Sequence, residues 1–200
     1  LRLKPDFAVG YNNLGLAYDK VGEPESAIKA LTKATQLKPD YALAFYNLGV
    51  VYGNSRQYQQ AVKAFKQAIL IRPGFVQAHN RLGVSYSNCG QYDLAVAAFR
   101  RAIQLKADYA EAYNNLATVQ SDMGQYEVAT ESFMRAINLN PSFSLARYNL
   151  GVNYLRMHNP RAALSQYKML SGVDKRLAEK LYDGIYAGKT VNVRNLSLTH

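Results

Sequence analysis

Apolar residues return along this chain in two alternating stripes of helical spacing, separated by short polar turns. Tyr11, Leu14, Gly15 and Tyr18 trace the first stripe in steps of three and four residues. Leu14, Leu48, Leu82, Leu116 and Leu150 then form a column at a 34-residue interval, each followed by a small residue: Gly15, Gly49, Gly83, Ala117 and Gly151. Residues this small let a second helix approach closely. Four residues beyond each Leu stand Tyr18, Tyr52, Tyr86, Gln120 and Tyr154. The second stripe runs through Ala27, Leu31 and Ala34 and repeats as Ala61, Phe65, Ala68, as Ala95, Phe99, Ala102, as Ala129, Phe133, Ala136, and with less regularity as Ala163, Tyr167, Leu170. Gly22, Gly90 and Gly124 between the stripes suit a left-handed helix end, His158 replaces such a glycine, and Pro24 and Pro160 suit the first turn of a helix. The pattern predicts five helical hairpins, and a fixed period of this length indicates stacked repeats.

Each unit closes at Pro39, Pro73, Ala107 or Pro141, where a proline disfavours helix in the residue before it. Asp6, Asp40, Asp108 and Ser142 then stand where a side-chain oxygen is expected to cap the next helix, with Gly74 as a weaker cap. The boundaries expected are 8–41, 42–75, 76–109, 110–143 and 144–174. A further amphipathic helix over 175–187, carrying Leu177, Ala178, Leu181, Tyr182 and Ile185, is expected to cover the last exposed stripe against the second helix of the fifth unit. Residues 1–7 match the tail of a preceding unit, so the chain is expected to continue upstream, and 188–200 read as a flexible tail or linker.

Leu-Gly, Tyr, Ala, Phe and Pro at this interval resemble the tetratricopeptide repeat family over residues 8 to 187. The resemblance implies an all-α fold, a right-handed superhelix or α-solenoid of five helical hairpins with a C-terminal capping helix. It further implies that first helices line a concave groove and second helices form the convex outside. A non-catalytic scaffold that binds a protein partner or an extended peptide in the groove is the function it implies. The alternative is the substrate-holding arm of a larger protein-modifying enzyme such as a glycosyltransferase.

The groove columns carry the candidate recognition residues. One holds Asn13, Asn47, Arg81, Asn115 and Asn149, and its neighbour holds Asn12, Tyr46, Asn80, Asn114 and Tyr148. Asparagine is a mediocre helix former, so its return at one position needs a reason. Each amide offers a donor and an acceptor to an extended peptide backbone, and the line resembles that of the superhelical arm of peptide O-linked N-acetylglucosamine transferases, which implies peptide-backbone binding by Asn13, Asn47, Asn115 and Asn149. Equally, these amides could bridge adjacent repeats and fix their twist. Asn13, Asn47 and Arg81 also match three members of the carboxylate clamp of chaperone-binding tetratricopeptide domains, but Val9 and Gln77 stand where that clamp has lysines.

Composition changes this picture little. A net charge of +10 raises the question of an anionic partner, but Lys29, Lys33, Lys63, Lys66, Arg100 and Arg101 fall on second helices, while in the groove columns Lys20, Arg81 and Arg156 are nearly balanced in number by Glu111 and Asp122. That is no continuous track for a phosphate backbone, so nucleic acid is disfavoured. His79, His158 and His200 lie on different units without carboxylate or cysteine at ligand spacing, and Cys89 is the one cysteine, so no catalytic centre, metal site or cofactor is expected. The opening "LRLKPDF" lacks the regions of a signal peptide, no stretch is long and apolar enough to span a bilayer, and a cytoplasmic setting is favoured. Tyr11 and its apolar neighbours, lacking an upstream repeat, are expected to invite self-association through the exposed end.

Overall fold

The computed structural model describes residues 5–186, with side chains from residue 7, and in that span the chain is all helical. Eleven helices occur among the described residues: α1 (Pro5–Lys20), α2 (Pro24–Leu37), α3 (Ala42–Asn54), α4 (Tyr58–Ile71), α5 (Val76–Asn88), α6 (Tyr92–Leu105), α7 (Ala110–Asp122), α8 (Tyr126–Leu139), α9 (Ser144–Arg156), α10 (Pro160–Ser171) and α11 (Lys175–Tyr186). They belong to two compact units, Leu1–Arg101 and Ala102–His200. The expected tail at 188–200 lies outside the described residues, and residues 5–7 belong to α1 rather than to a separate tail.

One turn design serves every hairpin. The residue after the turn sends its N–H back five positions to a carbonyl in the last turn of the first helix: Glu23 to Tyr18 (2.9 Å), Gln57 to Tyr52 (2.8 Å), Gln91 to Tyr86 (2.9 Å), Gln125 to Gln120 (2.9 Å) and Asn159 to Tyr154 (2.8 Å). This is the Schellman arrangement, which needs a left-handed residue. Gly22, Gly90 and Gly124 supply it with φ of 81°, 73° and 78°, while Arg56 and His158 adopt φ of 58° and 55° in the other two turns.

The expected caps are corrected. Tyr41, Phe75, Tyr109 and Phe143 occupy the N-cap positions of α3, α5, α7 and α9, and none makes a side-chain cap bond. Asp40, Asp108 and Ser142 instead lie in the preceding turn, where their carbonyls accept from Ala42, Ala110 and Ser144 at 3.1, 3.1 and 2.8 Å. The aromatic N-caps carry a cation over the ring in three cases: Lys38 over Tyr41 at 5.4 Å, Arg72 over Phe75 at 4.6 Å and Lys106 over Tyr109 at 5.5 Å. Side-chain caps occur on α10, where Asn159 Oδ1 accepts from the Ala162 N–H at 3.1 Å, and at the start of α11, where Asp174 Oδ1 accepts from Leu177 at 3.0 Å.

In the unit Leu1–Arg101, small residues of each first helix lie under a large residue of the second. A Cβ on Gly15 would come within 2.5 Å of Leu31, one on Gly49 within 2.7 Å of Phe65, and one on Gly83 within 2.6 Å of Phe99. Leu48 and Val51 of α3 join Ala27 and Leu31 of α2 in one apolar cluster, so successive hairpins share a core. On α1, Val9, Leu14 and Leu16 are exposed.

In the unit Ala102–His200, Ala117, Ala129, Phe133 and Leu150 form the corresponding cluster. The last hairpin departs from the rule. Leu181 of α11, rather than Tyr167 of α10, covers Gly151, whose Cβ would come within 2.5 Å of it. The terminal helix therefore packs on α9 as well as on α10, correcting the expectation that it covers only the second helix. Leu177, Ala178 and Leu181 close over Tyr148, Val152 and Leu170.

Candidate functional site

The asparagines of the first helices are joined in pairs between successive hairpins. In the unit Leu1–Arg101, Asn47 of α3 donates through Nδ2 to Asn12 Oδ1 of α1 at 2.8 Å, and Asn12 Nδ2 lies 3.4 Å from Asn13 Oδ1. In the unit Ala102–His200 the same relay runs from Asn149 Nδ2 to Asn114 Oδ1 at 3.0 Å and from Asn114 Nδ2 to Asn115 Oδ1 at 3.4 Å. The first link of each relay is short and buried. A hydrogen bond without competing water gains strength from the low local dielectric, so each link fixes how one first helix sits against the next.

Burial sorts the ten expected groove residues. Asn12, Asn47, Asn80, Asn114, Tyr148 and Asn149 are buried, Tyr46, Arg81 and Asn115 are half-buried, and Asn13 is exposed. The column expected to line an open groove is largely covered: Asn12, Asn80, Asn114 and Tyr148 are buried and Tyr46 is half-buried. Asn12 and Asn114 are tied to the next hairpin by the bonds they accept from Asn47 and Asn149. Tyr46 packs its ring against Phe65 and Phe75, with centroids 5.8 and 4.8 Å away. Tyr148 is wholly buried under α11, its hydroxyl has no partner, and burial pushes its pKa up to about 12.

Within the first unit, then, Asn13 of α1 is the exposed polar member of the line, backed by Asn12 and Asn47, and Arg81 of α5 is half-buried. His79 is a packing residue, buried on α5 with Nε2 2.9 Å from the Pro73 carbonyl oxygen. Cys89 is half-buried, and desolvation raises its thiol pKa, which disfavours the reactive thiolate.

The second unit holds polar contacts that the sequence pattern did not single out. Asn153 Nδ2 donates to the Tyr126 carbonyl and to Thr130 Oγ1, both at 2.9 Å, tying α9 to α8. Arg156 Nη1 reaches Asp122 Oδ1 at 3.0 Å and Ser121 Oγ at 2.9 Å, tying α9 to α7. Ser132 Oγ donates to Gln120 Oε1 at 2.8 Å within the α7–α8 hairpin. The signal available was substitution within a column: Asn153 stands where earlier units have Val51, Ser85 and Val119, and Gln120 stands in the Tyr column.

Among the described residues no group of histidine, cysteine, aspartate and glutamate has metal-binding geometry, and no helix is long and apolar enough to cross a membrane.

Comparison with known proteins places these features in a family. The model described as "Tetratricopeptide repeat" matches residues 8–41 and 42–75, and related tetratricopeptide models match 64–97, 86–124 and 110–143. No curated protein matches the chain. Among solved structures, MamA residues 41 to the end from Desulfovibrio magneticus RS-1 superposes with a TM-score of 0.77 at 24% identity, covering 85% of this chain and 96% of that one. TTC0263, a thermophilic tetratricopeptide protein from Thermus thermophilus, gives 0.72 at 20% identity, covering 89% and 98%. YrrB, a tetratricopeptide protein with an unusual peptide-binding site, gives 0.69 at 25% identity, covering 88% and 92%. At these identities the likeness is one of fold.

Proposed function

The chain belongs to the tetratricopeptide repeat family, whose fold serves protein–protein interaction, and from that premise we propose that it binds an extended peptide segment of a protein partner along α1, α3 and α5. One observation carries this reading. The relay from Asn47 through Asn12 engages Asn13 Oδ1 while the Asn13 side chain remains exposed. Asn13 is thereby held with its amide N–H groups available to a peptide carbonyl, at little ordering cost on binding. Arg81, two hairpins on, adds a cation for a carboxylate of the same segment, a charge-assisted contact. That YrrB has a peptide-binding site on this fold supports the reading.

The buried amides have a different role. Asn47, Asn12, Asn114 and Asn149 hold the repeats in register, and replacing them tests stability rather than recognition.

The test uses peptides selected on the full chain from a displayed random library and titrated by fluorescence anisotropy. Asn13→Ala removes one hydrogen-bonding side chain worth about 0.5–1.5 kcal/mol, so affinity falls several-fold with the melting temperature unchanged. Arg81→Ala weakens peptides that contain acidic residues or a free carboxylate, and the loss shrinks as salt rises. Selected peptides that bind both variants as tightly as wild type place recognition elsewhere.

A further inference from the structure

Apart from Arg81, the positive charge of the chain is not used by that peptide site, and its distribution is uneven. Between Asp40 and Asp93 there is no acidic residue, while Arg56, Lys63, Lys66, Arg72 and Arg81 all fall in this stretch. Arg56, Lys63, Lys66 and Arg72 are exposed on or beside α4. Lys63, Lys66 and Leu70 share one face of that helix by their spacing of three and four residues. Lys29 and Lys33 on α2 and Arg100 on α6 are further exposed cations of the same unit. The acidic residues of those two helices, Glu25 and Asp93, sit in their first turns.

Two further observations set this face apart from an ordinary solvated one. Leu70 is 72% exposed, whereas the equivalent positions of the neighbouring second helices carry the amides Gln36, Gln104 and Asn138. A large apolar side chain left in water beside cations favours contact with something that covers it. Arg56 adopts φ of 58° in a turn that three other hairpins make with glycine and one with His158, so a cation stands there in a backbone conformation that side chains disfavour.

We propose that the α4 face of the first unit docks an acidic protein segment, with carboxylates against Lys63 and Lys66 and an apolar side chain over Leu70. A protein fits better than the other polyanions. Nucleic acid bases need exposed aromatic platforms, but α2 carries no aromatic residue, and the two of α4, Tyr58 and Phe65, are half-buried and buried. A lipid surface calls for a broad row of exposed apolar side chains, and along α4 Val62 is buried and Ile69 half-buried, leaving Leu70 as the large exposed one.

The experiment titrates a fluorescein-labelled oligoglutamate peptide with a central leucine against the full chain, by anisotropy at low and at physiological salt. The double charge reversal Lys63→Glu with Lys66→Glu is compared with Arg161→Glu with Lys168→Glu on α10, an equal change in net charge at exposed positions of the other unit. Binding is expected to fall about tenfold or more with the α4 pair and to change little with the α10 pair, because attraction between close charges is local at physiological salt. Lys63→Gln with Lys66→Gln gives the same direction with less perturbation. Leu70→Ser weakens binding without altering its salt dependence, whereas a loss with Asn13→Ala as large as that with the α4 pair would place the peptide on the first-helix site and overturn the proposal. Absence of binding, equal losses from both reversals, or tighter binding of oligothymidine or phosphatidylserine vesicles through the same lysines overturns the proposal.

Discussion

The two units solve one packing problem with different chemistry. Both use the same asparagine relay, Asn47 to Asn12 in the first and Asn149 to Asn114 in the second. Around it the first unit relies on apolar contacts: Val51 is buried against Leu31 and Leu48, and Tyr46 lies between Phe65 and Phe75. In the second unit the column of Val51 holds Val119 and then Asn153, the latter bonded to Tyr126 and Thr130, and the Arg156–Asp122 ion pair is added. That choice leaves Tyr148 Oη, Asn149 Oδ1 and Asn153 Oδ1 buried without partners. The repeat template therefore fixes where helices meet but not what they meet with. Apolar contacts supply net stability, whereas buried polar groups fix geometry and cost free energy wherever they are incompletely paired.

The largest effect separating the units should come from the terminal helix, which has no counterpart in the first. Truncation after Val173 uncovers Tyr148, Val152 and Leu170, so the melting temperature falls steeply and the truncated chain associates in light scattering. Unchanged stability and a clean monomer would remove α11 from the core. Leu181→Ala is the milder form of the same test. It opens a cavity over Gly151 and should cost about 2–5 kcal/mol in a denaturant titration.

The relays come next. Asn47→Ala and Asn149→Ala each strip a buried acceptor of its donor, a loss of about 1–3 kcal/mol. The second should cost less than the first, because Asn149 Oδ1 is already buried and unpartnered and its removal returns part of the loss. Equal costs would show that the two units do not differ in this respect.

Asn153→Val transplants the solution of the first unit into the second. Two hydrogen bonds to oxygen and a long one to Met157 Sδ disappear along with one unpartnered buried oxygen, so the net change in unfolding free energy should lie within about 1 kcal/mol. A loss of several kcal/mol would make Asn153 a brace in its own right.

Smallest at neutral pH is Tyr148→Phe, expected to be neutral or slightly stabilising. It has a signature in alkali. The hydroxyl, raised from an ordinary 10.0 to about 12 by burial, stays protonated in the folded chain while the unfolded chain ionises first. Its contribution is complete below pH about 10 and is lost as pH rises toward about 12. Melting curves across that window should fall less in the Phe variant than in wild type.

Much of the architecture was legible in the sequence because packing between helices is periodic. The Leu column, the small residues beside it and the Phe column each answer to a neighbour at a fixed offset, so the hairpins and α11 follow from spacing. The left-handed turns at Arg56 and His158 are legible from glycine at the same place in the other units, and not from the chemistry of either side chain. Helix caps misled for a related reason. Asp40 and Asp108 have the right chemistry one residue too early, and the aromatic residues Tyr41 and Tyr109 hold the N-cap positions instead.

The candidate site shows the sharper division. Sequence alone determined that asparagine returns at one position of the first helices, because a polar residue with poor helix propensity stands out against an apolar repeat. Only the tertiary structure decided what those amides do. Neighbouring asparagines such as Asn12 and Asn13 are adjacent in the chain and chemically identical, yet one is 2% exposed and bonded across to α3 while the other faces solvent. Which face of a helix is covered depends on the helix that packs against it. That partner lies a whole repeat away, beyond the reach of local propensity.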